Sequence, residues 1–203
     1  MMQRAKGETP SPILVPMNFK SMKTLLLLEP PYAIYSLEVE ELALQEDYYY
    51  LSLSDLFMQE AGSKSALGQS LGELDAKARY KQLMQSKLRK LPRNIKAGWL
   101  LDPDCISSLE EAQALKELLE ELNHPLDAII IGQATAENLL AEVPDYEDKE
   151  TAAEEIKDYF VTLLPGILQI FPEVPQLELS EQDDWKALHK QIRKLLRGTT
   201  QEN

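Results

Sequence analysis

The chain has 203 residues, with 34 acidic against 21 basic side chains and a formal net charge of −13. With 44% apolar and 27% charged residues it suits a globular domain and is too apolar for a disordered one, and the acid excess argues against non-specific nucleic-acid binding, which depends on lysine and arginine. No apolar run approaches the roughly 20 residues of a helical bilayer span, and the single cysteine, Cys105, excludes an internal disulfide framework and suits a reducing compartment.

Residues 1–21 read as a flexible extension, because Pro10, Pro12 and Pro16 break regular elements and Gly7, Thr9 and Ser11 loosen the chain. Arg4 and Lys6 precede no long apolar core, so a secretory signal is not expected. Bases outnumber acids there, which keeps an organellar transit segment open beside the expected cytoplasmic location. Residues 22–203 read as one domain, with 53–96 as a helical subregion.

Thr24 to Leu28 is a continuous apolar run closed by Pro30-Pro31, the pattern of a strand buried on both faces. Tyr35 to Gln45 has apolar residues at Leu37, Val39, Leu42 and Leu44 and predicts a helix. Tyr48 to Leu53 is strand-like, its three tyrosines alternating faces. Ser54 is read as the cap of a helix beginning at Asp55. Gly98 to Leu101 predicts a strand ending at Asp102. Ser108 and Glu111 form a capping box for a helix with Leu109, Ala112, Leu115, Leu119 and Leu122 on one face, stopped at Asn123-His124-Pro125. Ala128 to Gly132 is the plainest buried strand. Thr135 starts another helix, and an acidic helix from about Lys149 to Leu164 is expected to break at Pro165-Gly166. Gln176 to Leu179 is a fifth strand, and Ser180 with Asp183 begins a last helix carrying Trp185, Leu188, Ile192, Leu195 and Leu196. Strands separated by helix-length segments predict an α/β fold: three layers, doubly wound around a five-stranded parallel sheet.

In order, these segments resemble the adenylate kinase family of nucleoside monophosphate kinases over about Met22 to Arg197. Met22 to Leu27 is similar to the strand before the family's phosphate loop. Leu51-Ser52-Leu53-Ser54-Asp55-Leu56 resembles its I-S-T-G-D-M segment, and Leu67-Gly68 falls at the spacing of its L-G pair. Ala97-Gly98-Trp99-Leu100-Leu101-Asp102 resembles N-G-F-L-L-D, and Ser108-Leu109-Glu110-Glu111-Ala112 with Ala114-Leu115 resembles the helix after it. Leu126-Asp127-Ala128-Ile129 resembles L-D-x-V, and Asp148-Lys149-Glu150-Thr151 through Tyr159 resembles D-D-x-E-T…R…Y. The resemblance implies a P-loop NTPase fold of the adenylate kinase type.

The departures fall on the family's phosphate chemistry. Where the family has G-x-P-G-x-G-K-G-T, this chain reads Leu28-Glu29-Pro30-Pro31-Tyr32-Ala33-Ile34-Tyr35-Ser36. The lysine position is Ile34, Pro31 lacks the N–H of the glycine it replaces, Tyr32 and Tyr35 add bulk, and Glu29 adds repulsion. The arginine positions fall on Met58, on Ile106 or Ser107, and near Ala153 and Glu155, and the lid reduces to Ala141 through Tyr146. Phosphoryl transfer needs positive charge about the transferring group. These departures lead to the expectation of a member without a working phosphate loop, no enzyme but a pseudokinase, serving as a protein-interaction or structural module with no cofactor. Such members also occur as parts of ciliary assemblies. The alternative is nucleotide or small-ligand binding in a residual crevice lined by Tyr32, Tyr35, Asp55 and Asp102; a third reading is an active kinase by an unfamiliar route.

Asp102 and Asp104 are read as a strand-end acid and a turn residue rather than magnesium ligands. Cys105 is read as passive, and His124 and His189 as structural. Between residues 76 and 101 lie eight bases (Lys77, Arg79, Lys81, Lys87, Arg89, Lys90, Arg93 and Lys96) and no acid, against 34 acids and 13 bases elsewhere. This segment is the expected surface for an acidic protein partner.

Overall fold

The computed structural model describes residues 23–33, 35–89, 97–180, 190, 193 and 194. Five strands, β1 (Lys23–Leu28), β2 (Tyr48–Leu51), β3 (Gly98–Leu101), β4 (Leu126–Gln133) and β5 (Gln176–Ser180), form one sheet in the order β2-β3-β1-β4-β5. Every pairing is parallel, with Leu25 opposite Leu100 and Leu26 opposite Leu101. The helices are α1 (Tyr35–Gln45), α2 (Leu53–Ala61), α3 (Ala66–Ser70), α4 (Ala76–Leu88), α5 (Leu109–Leu122), α6 (Ala136–Glu142), α7 (Lys149–Asp158) and α8 (Leu164–Ile170).

Alternate residues of each strand enter opposite cores. Leu25, Leu27, Tyr48, Leu100 and Ile130 pack with Val39, Leu42 and Ala43 of α1. Leu26, Leu28, Trp99, Leu101, Ile129 and Ile131 pack with Met84 of α4, Leu115 and Leu119 of α5 and Ile167 of α8. Helices thus cover both faces, and each fully buried leucine contributes about 2 kcal/mol of hydrophobic stabilisation. The tyrosines of β2 divide the same way: Tyr48 belongs to the α1 side, while Tyr49 meets Trp99 edge to face at 5.4 Å on the other. Gly98 has φ 147° and lies so close to β1 that a Cβ there would stand 1.9 Å from the Lys23 carbonyl oxygen.

Four sequence expectations are corrected. Ser52, not Ser54, caps α2: its hydroxyl accepts from Asp55 N, and the helix starts at Leu53. Pro165-Gly166 does not end the acidic helix. A π-helical turn, Tyr159–Leu163, joins α7 to α8, and Pro165 sits in the first turn of α8, where no N–H is needed. On α5, Leu109 is 37% exposed while Ala114 and Leu118 are buried, so the apolar face is rotated toward those residues. Ser108 caps that helix through Glu111 N, but the Glu111 carboxylate accepts from Ser107 N and Oγ instead of reaching back to Ser108. The extension (1–21), Ile34, Lys90, Arg93, Lys96, His189 and Asp183 with the apolar face of the last expected helix lie outside the described residues, and Ser180 ends β5. Arg193 bonds Gln45 and Glu46 at the end of α1.

Candidate functional site

β1 runs into α1 on one face of the sheet, whereas neighbouring β3 runs into α5 on the other. Between two such strands the connecting loops part and leave a crevice at the carboxyl ends. A cavity of about 600 Å³ lies there, between the loops after β1 and β3 and the α7–α8 segment.

The β1 loop is a tight turn. Ala33 N donates to Pro30 O at 3.2 Å, Pro31 takes the second position, and Tyr32 takes the third with φ 67°. A left-handed third position usually belongs to glycine or asparagine. The Tyr32 hydroxyl lies 2.9 Å from Glu147 Oε2 and 3.2 Å from Glu155 Oε2 and donates to this pair, which pushes the phenol up to about 12. Glu29 turns back on the helix that follows it: its Oε2 accepts from Ser36 N, in the first turn of α1, at 2.9 Å. Burial pushes Glu29 up to about 7, against the pull of the Ser36 bonds and with added repulsion from Asp102.

Asp102 closes β3. Its Oδ1 accepts from Asp104 N at 2.7 Å, and Tyr50 donates its hydroxyl to Oδ2 in a short contact. Burial raises Asp102 to about 6 even so. Asp104 points away, to the start of α2, where it accepts from Ser52 Oγ, Leu53 N and Ser54 N at 2.8, 2.8 and 2.9 Å. Burial opposes its charge, but these bonds outweigh burial and hold it below the usual carboxylate range. Among the described residues no group of three or more His, Cys, Asp or Glu side chains is arranged to hold a metal ion. Cys105 is fully buried and burial pushes its thiol up, which removes the thiolate a reactive cysteine needs.

The far wall comes from Glu155 and Asp158 of α7 and from the π turn. Such turns redirect side chains, and this one delivers Tyr159 and Leu163 to the cavity. Tyr159 is 5% exposed, and its hydroxyl has no hydrogen-bond partner among the described residues.

Of the four residues expected to line the crevice, Tyr32 and Asp102 do. Tyr35 lies beneath it, buried, its hydroxyl on Gln133 O at 2.7 Å, and Asp55 is exposed on α2. Of the phosphate-loop positions, Glu29, Pro30, Pro31, Tyr32 and Ala33 line the cavity, while Tyr35 and Ser36 open α1. Of the positions the resemblance assigns to arginines, Ile106, Ser107 and Glu155 line the cavity, and Met58 is 72% exposed elsewhere. The basic segment is partly committed within the chain: Lys81 pairs with Glu117 at 2.9 Å and Glu121 at 3.8 Å, and Arg79 donates to Leu74 O. Lys77 and Arg89 are exposed, and Lys87 is half-buried. Reading residues in sequence put Tyr159 on the acidic helix but assigned neither it nor Asp158 to the crevice, because α7 and the π turn after it reach that wall only through packing of segments distant in sequence. Among the described residues no helix is long and apolar enough to cross a membrane.

No protein-family model matches the chain. Among curated proteins it is similar to the adenylate kinase of Prochlorococcus marinus (strain MIT 9313), 34% identical over 113 residues, covering 53% of this chain and 59% of that protein. The adenylate kinase of Prochlorococcus marinus (strain NATL1A) is 33% identical over 111 residues (54% and 60%), and that of Synechococcus sp. (strain RCC307) is 32% identical over 122 residues (57% and 64%). The matched part of the chain thus spans less than two thirds of the length of each relative. These relatives carry the name of an enzyme, so the expectation that the chain is not one is corrected. By sequence similarity and by its five-stranded parallel sheet, the chain is adenylate kinase-like.

Proposed function

We propose that this adenylate kinase-like chain recognises a small ligand in the crevice after β1 and β3, through groups other than a polyphosphate tail. The observation that carries the reading is the Glu29 carboxylate on Ser36 N. The N-terminus of a helix after a strand is an anion site because its first amides have no partner within the helix. Here the chain supplies the anion itself. A phosphate arriving at that place would meet Glu29 and Asp102 as neighbours, with Glu155 at a position where the resemblance implies an arginine. Two prolines shorten the supply of donors further.

The test is a pair of calorimetric titrations, with ATP and with adenosine. ATP binding no tighter than adenosine supports the reading, since the triphosphate then adds nothing. ATP binding more than about tenfold tighter would correspond to at least one charge-assisted phosphate contact and overturns it. A second reading, docking of an acidic protein partner along α4, is supported by exposed Lys77 and Arg89 near the two ends of a helix without acids. Reversal of Lys77, Lys87 and Arg89 to glutamate should abolish salt-sensitive binding of a polyglutamate peptide; unchanged binding removes that reading.

A further inference from the structure

The cavity lining is chemically one-sided. It holds five carboxylates, Glu29, Asp102, Asp104, Glu155 and Asp158, and no lysine, arginine or histidine among its described residues. Asp104 is saturated by its three donors at α2, and Glu155 receives Tyr32. Three carboxylates remain: Asp158 is exposed on α7, whereas Glu29 and Asp102 are half-buried and repel one another. The second observation is independent of the acids: the Tyr159 hydroxyl is enclosed, lacks a partner among the described residues and feels the charge of Glu29. A buried hydroxyl without a partner carries the desolvation cost of a polar group, and such a group in a native fold calls for a cause.

We propose that the cavity binds a small organic cation, an ammonium or guanidinium group seated between Glu29 and Asp102, with the Tyr159 hydroxyl oxygen accepting one of its N–H bonds. This rests on the crevice being the recognition site. A donor-rich cation matches a site whose open groups are acceptors. It also relieves the repulsion between two carboxylates that a neutral ligand would leave facing each other. An anion is disfavoured on charge. A bare divalent cation takes six or more oxygen ligands for calcium, or a near-octahedral shell for magnesium, and the described residues offer no such cluster. The volume of about 600 Å³ is in the range of small-molecule pockets, and Pro103, Ile106, Leu163 and Ile167 supply apolar wall for a methylene chain.

The test is calorimetric titration of the full chain with agmatine and with spermidine, with butanol as the neutral probe, on wild type, Asp102→Asn and Tyr159→Phe. Tyr159→Phe removes a hydroxyl that has no partner among the described residues, so the fold is kept and the variant reads binding alone. The expected result is saturable amine binding, silence with butanol, a loss of about tenfold or more in Asp102→Asn, and a loss of about threefold or more in Tyr159→Phe. Silence of both amines on wild type overturns the assignment. So does amine binding that both variants leave unchanged, which would mark general attraction to a chain of charge −13. ATP no tighter than adenosine together with silent amines overturns the cation and leaves small-ligand recognition standing; a large ATP preference overturns the recognition reading itself.

Discussion

Two helices begin at the crevice with a carboxylate on their first-turn amides, and the two carboxylates have opposite fates. Asp104 at α2 collects one hydroxyl and two backbone N–H groups and is held charged, below its ordinary range. Glu29 at α1 accepts from Ser36 N and is drawn on by the Ser36 hydroxyl and the Tyr35 amide as well, yet burial beside a second carboxylate outweighs these donors and pushes it up to about 7. A helix N-terminus stabilises an anion only as far as its donors and dipole exceed the cost of removing that anion from water. At α2 the donors win; at α1 burial wins. The first arrangement reads as a structural clamp, the second as a site whose charge awaits a partner.

The comparison breaks most sharply at Asp104. Asp104→Ala removes three hydrogen bonds to a charged group and releases β3 from α2, and should cost about 3 kcal/mol in urea unfolding at neutral pH. A cost below about 1 kcal/mol would make the two termini equivalent. The next effect is the pH dependence. Glu29 has a raised folded value, so its contribution is present below its unfolded value of 4.5 and is lost as pH rises through about 7. Between about pH 5 and about pH 8 the wild type should lose about 2 kcal/mol more than Glu29→Gln, which keeps an acceptor for Ser36 N but cannot titrate. Asp104 runs the other way: its contribution is present above 3.8 and is lost as pH falls through its depressed value. Parallel unfolding curves for wild type and Glu29→Gln over that range would remove the contrast. The smallest effect is at Tyr32. Tyr32→Gly relieves a left-handed tyrosine but loses the bonds to Glu147 and Glu155, and the balance should stay within about 1 kcal/mol by thermal melting.

What could be read in advance divides along the same line. Tyr35–Gln45 and Gly98–Leu101 were legible to the residue, because apolar spacing and burial answer to neighbours in sequence. The Asn123 stop was legible too, since a left-handed cap is a local matter. Ser52 was misread because the partner that settles the start of α2, Asp104, is 52 residues away. Glu29 was read only as a repulsive charge; that it folds back onto Ser36 depends on where the turn sends it. Asp55 was assigned to the crevice by motif, yet its helix carries it to the surface. Tyr159 was legible as part of the acidic helix but not as a crevice residue, because a π turn bridges Asp158 and Leu164 there, for which Pro165 was a misleading sign.

The missing side chain at Gly98 is the zero mark from which the crevice is measured. If β3 slid along β1 by one residue, Trp99 would stand against the Lys23 carbonyl; if it slid by two, Leu100 would. A side chain forced into that close approach in the backbone conformation of Gly98 would collide with β1, so the glycine favours the alignment in which it faces Lys23. That alignment sets how far Asp102 emerges beyond the sheet relative to Glu29. The spacing of two acids at the rim is therefore decided at the opposite end of the strands, by an atom that is not there.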